Sequence, residues 1–412
     1  MGAAQNCEAE AEIGCILVTK GSGIVPAHEP KERIYSLSFR ELAWMAGTEL
    51  SYANGRKLLN RLLQRDGRDS IKARTYQDFC SRSGQELGAY MAEAAKKVLE
   101  QAGFDSKTGQ AGEAAVLRPE LGKAGTSLCE GVELQQAIQT VNASRENADE
   151  RICTCTAPVE NPKDTCYVSV DEIGVKHQKE HRKGTAEKQA AYVWNTVAVI
   201  QSQQFSYTLT DGSMPQVFRN TLACLLSHGL LAGKNLVFFT DGASDIRCNI
   251  EKVFAFHPYT IILDWYHLKK RCQEYLSMSI KGGKEKRNKI LQKLLRILWV
   301  GNVTGSEQYL TGLDSEYLRP KNRIVDLCAY FEKHRNHIPC YALRQHLGLR
   351  NSSSTVEKAN DLLVAQRQKH NGMSWSLTGS TALAHIKALF LNHEVYPWLH
   401  SHSLVQFLSA LA

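Results

Sequence analysis

Three short apolar runs that each end in an aspartate constrain this chain more than anything else in it. They are Cys166-Tyr-Val-Ser-Val-Asp171, Asn235-Leu-Val-Phe-Phe-Thr-Asp241 and Thr260-Ile-Ile-Leu-Asp264. Each is too short for a helix, rich in β-branched and aromatic residues, and reads as a buried strand. Residues 191–200 and 204–211 read as two more strands. Residues 214–231 and 243–254 have helical period. The order is β-β-β-α-β-α-β, three strands able to pair antiparallel followed by alternating units that build a parallel part. A carboxylate at the edge of a buried strand is held rigidly over a crevice. Converging carboxylates form a hard-oxygen site suited to Mg²⁺, with Mn²⁺ as a substitute. Any one of these aspartates is equally explained by a turn, and Asp241-Gly242 is a good turn dipeptide. It is the set, in this order, that points to a site.

Glu357 is the candidate third carboxylate. Ser354-x-x-Glu357 at a helix start also fits a capping box, in which the glutamate returns to the Ser354 N–H. Spacing leaves both readings open. Asp264-Trp-Tyr-His267 places a histidine three residues after a strand-end aspartate. Residues 176–183 form a basic hairpin tip suited to phosphate contact. His177-x-x-x-His181 within it, like Cys153-x-Cys155 with Cys166, is a weak zinc pattern.

Taken together, Asp171, Asp241-Gly242-Ala243, Asp264-Trp-Tyr-His267 and the late Glu357 resemble a DDE transposase of a bacterial insertion sequence. The aspartate-x-x-histidine signature is similar to that of the branch with a helical insertion before the catalytic glutamate, which includes Mutator-like and hAT-like elements. The stretch Ser352-Ser-Ser-Thr-Val-Glu357-Lys-Ala-Asn360, then Arg367 and Gly372-Met-Ser-Trp375, is similar to the segment around that glutamate. The resemblance covers residues 165–376. It implies an RNase H-like core and Asp171, Asp241 and Glu357 as catalytic metal ligands, with Asp264 and His267 as positioning residues. It implies hydrolysis of a phosphodiester at the element's ends and attack of the freed 3′-OH on target DNA. A homodimer follows from the need to synapse two ends. Two features depart from the pattern. Glu172 directly follows Asp171, though adjacent strand side chains point to opposite faces, so Asp171 is taken as the ligand. The N-terminal region is slightly acidic where relatives are often basic or Cys-rich, which raises the expectation of an incomplete or decayed copy.

The expected fold is therefore α/β: an RNase H-like mixed sheet core, an all-α insertion and an N-terminal helical domain. Residues 1–30 read as a flexible arm. Residues 31–110 read as helices with a helix-turn-helix pattern, Ser51 as an N-cap, a small helical piece at 70–82 and a longer helix from Gln85 to Ala102. Residues 111–164 read as a linker with one helix over 132–145, and 165–268 as the first part of the core. Residues 269–351 read as a basic helical insertion, and 352–412 as the second part of the core with C-terminal helices.

The net charge is +8, divided into −3 over residues 1–150 and +11 over the rest. Residues 268–296 alone carry ten Lys and Arg against two Glu, which points to a polyanion partner. Double-stranded DNA is the expected one. The expected contacts are Arg56, Lys57 and Arg61 in the helix-turn-helix pattern, Lys269, Lys270, Arg271, Lys284, Lys286 and Arg287 in the insertion, and Arg367 and Trp375 beyond it. No apolar run is long enough to span a membrane. Residues 13–18 lack the flanks of an export signal, and the scattered cysteines read as reduced thiols. The expected location is the cytoplasm, at the nucleoid. Two other classes remain open: an RNase H-like nuclease without strand transfer, and a catalytically inert DNA-binding remnant.

Overall fold

The structure is a computed structural model that describes residues 35–152, 159–178, 191–369 and 373–409. The expected arm, the Cys153 and Cys155 pair, His181 and Gly372 lie outside the described residues.

Among the described residues, seven strands fall into two sheets. Strands β1 (Ser127–Cys129) and β2 (Val159–Glu160) form a small antiparallel pair. The main sheet contains β3 (Thr165–Lys176), β4 (Tyr192–Gln201), β5 (Ser206–Asp211), β6 (Asn235–Thr240) and β7 (Tyr259–Leu263) in the order β5-β4-β3-β6-β7. Strands β3, β4 and β5 pair antiparallel, and β6 and β7 add to β3 in parallel. This is the expected mixed α/β sheet, with helices Met214–Ser227 and Ser244–Val253 as the crossovers. β3 does not stop at Asp171. Ile173 and Val175 continue the buried alternation and pair with Asn195 and Val193 of β4, so Asp171 lies within the strand rather than at its end.

The two faces of the sheet are covered differently. Val168 and Val170 of β3 join one core with Leu222, Phe238, Ile250 and the N-terminal helices. On the other face, Tyr167, Val237, Phe239 and Ile262 pack under the helical insertion. Farther along β3 on that same face, Ile173 and Val175 pack with Val356, Leu363 and Trp375. The insertion and the C-terminal segment thus lie side by side on one face, with Asp171 at their seam.

The N-terminal helices are Leu37–Glu49, Tyr52–Leu62 and Ala73–Gln101. Ser51 caps the second, its hydroxyl accepting the Asn54 N–H at 3.2 Å. The third is one continuous helix where the sequence suggested two pieces. The residues left between the two pieces, Ser83 and Gly84, lie inside it, and Gly84 is the point where the helix meets helix Leu377–Leu391. Phe39, Trp44, Leu59 and Leu87 share the sheet's core, so these helices form a layer on the sheet rather than a separate body.

Residues 111–164 are more than a linker. Ala137, Ile138 and Val141 of helix Gly131–Ala143 pack against Val300, Ala342, Leu343 and Leu349 of the insertion. Glu160 and Arg344 close this interface with a buried ion pair. The insertion itself comprises helices Trp265–Ser279, Lys284–Trp299, Val303–Thr311, Ile324–Lys333 and Tyr341–His346. Helix Ser354–Asn360 follows and runs directly into a π-helical stretch, Asp361–Lys369. No helix among the described residues is long and apolar enough to cross a membrane. Cys166, the third cysteine of the weak zinc pattern, is fully buried in the sheet core.

Candidate functional site

Asp171 projects from β3 toward the helix that carries Glu357. Its Oδ1 accepts the Glu172 N–H at 2.8 Å, and its Oδ2 accepts the Asn360 Nδ2 donor at 2.8 Å. Glu172 faces the other way and accepts the Thr196 hydroxyl at 3.3 Å, as strand alternation requires. Burial pushes the Asp171 carboxyl up to about 6, with the Asp241 and Glu357 carboxylates adding to the rise and the Glu172 N–H and His267 opposing it. Asp241, Glu357 and His267 thus lie within electrostatic reach of Asp171. Asp241 follows β6, in the parallel half of the sheet, and turns the chain into the next helix by accepting the Ala243 N–H at 2.8 Å. Gly242 has φ +88°, and a Cβ there would lie 3.0 Å from His334 Cε1. Backbone conformation and space together require glycine beside Asp241.

Asp264 is the organising residue. Its side chain is 1% exposed. Oδ1 accepts the His267 N–H at 2.9 Å, capping helix Trp265–Ser279, and stands 3.2 Å from His267 Nδ1. Oδ2 accepts the Ser353 N–H and, at 3.0 Å, the Ser353 hydroxyl. Burial alone would raise the Asp264 carboxyl, but the hydrogen bonds from His267 and Ser353 and the imidazolium charge outweigh it and hold it below the usual range. The same bond to Asp264 raises His267 above the ordinary imidazole value against its burial, helped by the Asp264, Asp171 and Asp241 charges. His267 Nε2 then stands 4.0 Å from Glu357 Oε1.

The capping-box reading of Glu357 fails on geometry. The N-cap is Ser353, which makes Glu357 the fourth helical residue rather than the third, and the Ser353 side chain is committed to Asp264. The Glu357 side chain is instead 40% exposed and faces His267.

Among the described residues, the tightest His and carboxylate group is Asp264, His267 and Glu357, with ligand atoms within 4.8 Å of one another. It is not the expected set of three carboxylates. Because both Asp264 oxygens already serve four donors, we read Asp264 as a clamp. Each Asp171 oxygen and Asp241 Oδ1 accepts one donor, and Glu357 is 40% exposed; these carboxylates retain acceptor capacity of the kind a hard divalent cation uses.

The expected DNA contacts separate into groups. Lys57, Arg61, Lys269, Lys270, Arg271 and Lys284 are exposed, and Arg56 and Arg287 are half-buried. Lys286 is half-buried, its ammonium 3.3 Å from the centre of the Tyr317 ring. Arg367 and Trp375 are corrections, being 3% and 6% exposed. Arg367 donates to the Gly47 carbonyl at 2.9 Å and lies over the Tyr52 and Trp375 rings. Trp375 donates its indole N–H to the Gln368 carbonyl at 3.1 Å and bridges to His177 at the end of β3. Both fasten the C-terminal segment to its neighbours and are out of reach of a duplex.

Sequence reasoning missed two side chains here. Asn360 sits three residues after Glu357, a spacing that puts both on one helical face and was the available signal. His334 reaches Gly242 from the insertion; burial, then the charges of His337, Lys333 and Arg247, push it down to about 4. No local pattern announces that contact.

No protein-family model matches this chain, and no curated protein sequence matches it significantly. A solved structure that is similar to it is the Drosophila P element transposase strand transfer complex, with 10% identity and a TM-score of 0.26, covering 98% of this chain and 88% of that one. At that level of likeness, a functional reading rests on the geometry of the site itself.

Proposed function

We propose that the chain is a DNA transposase of the DDE type, hydrolysing a phosphodiester at element ends and joining the 3′-OH to target DNA. The observation that carries this reading is the placement of Asp171 on the sheet face at the seam with the insertion, hydrogen-bonded to the helix that bears Glu357; burial raises its carboxyl to about 6, with smaller contributions from Asp241 and Glu357. Divalent cations held by these oxygens would neutralise phosphate charge and activate the attacking oxygen.

The chain's own residues supply the rest. Asp264 fixes the imidazole of His267 and the Ser353 turn at once, so the helix bearing Glu357 enters at a set angle. His267, kept protonated more readily by its carboxylate neighbours, presents Nε2 toward Glu357. The helix that begins at Asp264 also carries exposed Lys269, Lys270 and Arg271, suited to duplex phosphates next to the carboxylates. A homodimer synapsing two ends belongs to this proposal.

The test is cleavage and strand transfer by the full chain in Mg²⁺ or Mn²⁺, on duplexes carrying the sequences that flank its gene, with Glu357→Gln alongside. Cleaved and joined products that vanish in the variant support the proposal. Cleavage without joining would make it a nuclease. Metal-dependent binding without either product would leave an inert DNA-binding protein.

A further inference from the structure

We propose that Asn360 is a positioning residue for Asp171, fixing that carboxylate for a divalent cation; this rests on the metal-centre reading above. Asp171 and Asn360 come from elements 189 positions apart, one in the first half of the core and one beyond the insertion. The amide donates from Nδ2 to Asp171 Oδ2 at 2.8 Å, while the Glu172 N–H holds Oδ1. Each carboxylate oxygen thus carries one donor and keeps lone-pair capacity for a cation. Asn360 lies one turn beyond Glu357 in helix Ser354–Asn360, so the bond that orients Asp171 also sets the helix that presents Glu357.

The second observation is the other end of the amide. Asn360 is 6% exposed, and its Oδ1 has no hydrogen-bond partner. Turning the amide over would give that oxygen no relief, because it would then face the Asp171 carboxylate. A buried acceptor without a donor costs free energy that a purely structural contact has no reason to retain. Water bound to a cation is a donor of the kind this atom lacks. Residues that hold metal ligands in this way commonly change metal affinity about 10–100-fold when removed.

The test is Mn²⁺ binding by the full chain, followed by electron paramagnetic resonance. Wild type, Asp171→Asn, Asn360→Ala and Asn360→Asp are compared, with thermal unfolding measured in EDTA and in Mn²⁺. Asn360→Ala should weaken Mn²⁺ binding about tenfold or more at an equal folded fraction. Should that variant fail to fold, Asn360→Asp keeps the shape but replaces the donor with a second carboxylate. Its midpoint in EDTA should fall, and its rise on adding Mn²⁺ should exceed that of wild type, because the cation relieves the new carboxylate pair. Mn²⁺ affinity in Asn360→Ala within twofold of wild type, or an Mn²⁺-induced rise in Asn360→Asp equal to that of wild type, would overturn the role given to Asn360 while leaving the metal centre intact. Wild type that binds no Mn²⁺, or binding untouched by Asp171→Asn, would instead remove the metal centre, and the Asn360 role with it.

Discussion

Asp264 and Ser353 lie 89 positions apart, yet the Ser353 hydroxyl and backbone N–H both donate to one Asp264 oxygen. The whole helical insertion is strung between them. The other Asp264 oxygen holds the start of the helix that carries His267. One buried carboxylate therefore closes the neck of the insertion and sets the approach of Glu357. Asp264→Ala leaves four donors without their acceptor and should destabilise the fold by about 2 kcal/mol or more, read by urea unfolding in EDTA. The loss should also depend on pH. Asp264 is held below its ordinary value, so its contribution is present above the unfolded carboxylate pKa and fades as pH falls through the folded one. His267 is raised, so its contribution is full below the unfolded imidazole pKa and fades as pH rises through the folded one. The gap between wild type and variant should be widest between about pH 4 and 6.5. A gap independent of pH would exclude the ion pair as its source.

Asp171 behaves in the opposite sense. Its folded pKa, about 6, lies above the ordinary aspartate value, so the folded state disfavours the charge. The penalty is absent in acid, grows as pH rises from about 4, and is complete above about pH 6. Without metal, Asp171→Asn should therefore be more stable than wild type at pH 8, by roughly 1–3 kcal/mol, with the difference vanishing near pH 4. The same variant should lose cleavage. Thermal midpoints across that range in EDTA decide it, and a variant less stable than wild type at pH 8 would contradict the buried, coupled carboxylate.

Much of the sheet was legible because its strands are short, apolar and bounded by turn residues, and because Val and Ile leave few alternatives at that length. Asp171, Asp241, Asp264, His267 and Glu357 stand out as candidates through their place in that order. What escaped has a physical reason in each case. Gly84 falls between two helical pieces in the sequence pattern, since a sequence does not say that a glycine is there for close approach. Arg367 and Trp375 read as surface contacts, because a buried guanidinium held by a carbonyl, a thioether and two rings carries no acidic partner to announce it. The packing of residues 131–152 on the insertion depends on apolar residues some 150–200 positions away, and no local period encodes such a partner.

That packing gives a further prediction. Arg344 and Glu160 form two hydrogen bonds, at 2.8 and 2.6 Å, with both side chains 8% exposed. Removing either partner strands a buried charge, so Arg344→Ala or Glu160→Ala should each cost about 3–5 kcal/mol. The double variant should cost less than the two single losses combined. A double-mutant cycle by urea unfolding measures this, and additive losses would mean that the ions do not interact.

The basic face of the insertion can be tested through salt. Lys269, Lys270 and Arg271 are exposed on the helix that begins at Asp264, whereas Lys286 is engaged with Tyr317. Replacing the first three by glutamate should weaken duplex binding and lower the slope of log affinity against log salt by up to about 3. Lys286→Glu should act mainly on stability. Fluorescence anisotropy at several salt concentrations separates these outcomes, and an unchanged slope in the triple variant would take this helix off the DNA.

Gly84 and Gly88 mark where helix Ala73–Gln101 crosses helix Leu377–Leu391. A Cβ on Gly84 would lie 2.0 Å from the Ala382 carbonyl oxygen, and one on Gly88 would lie 2.4 Å from His385 Cε1. His385 is pinned there, with Nδ1 3.0 Å from the Gly84 carbonyl and Nε2 3.0 Å from the Thr210 carbonyl. Neither helix can yield without breaking these contacts, so Gly84→Ala should destabilise by about 3 kcal/mol or more, despite alanine's better helix propensity. Because the obstacle is backbone, Ala382→Gly should not rescue it. Gly122→Ala, where the nearest atom to a Cβ is 3.9 Å away, is the control and should be nearly neutral. Equal effects at the two positions, or rescue by Ala382→Gly, would show that the helices meet less closely than this crossing requires.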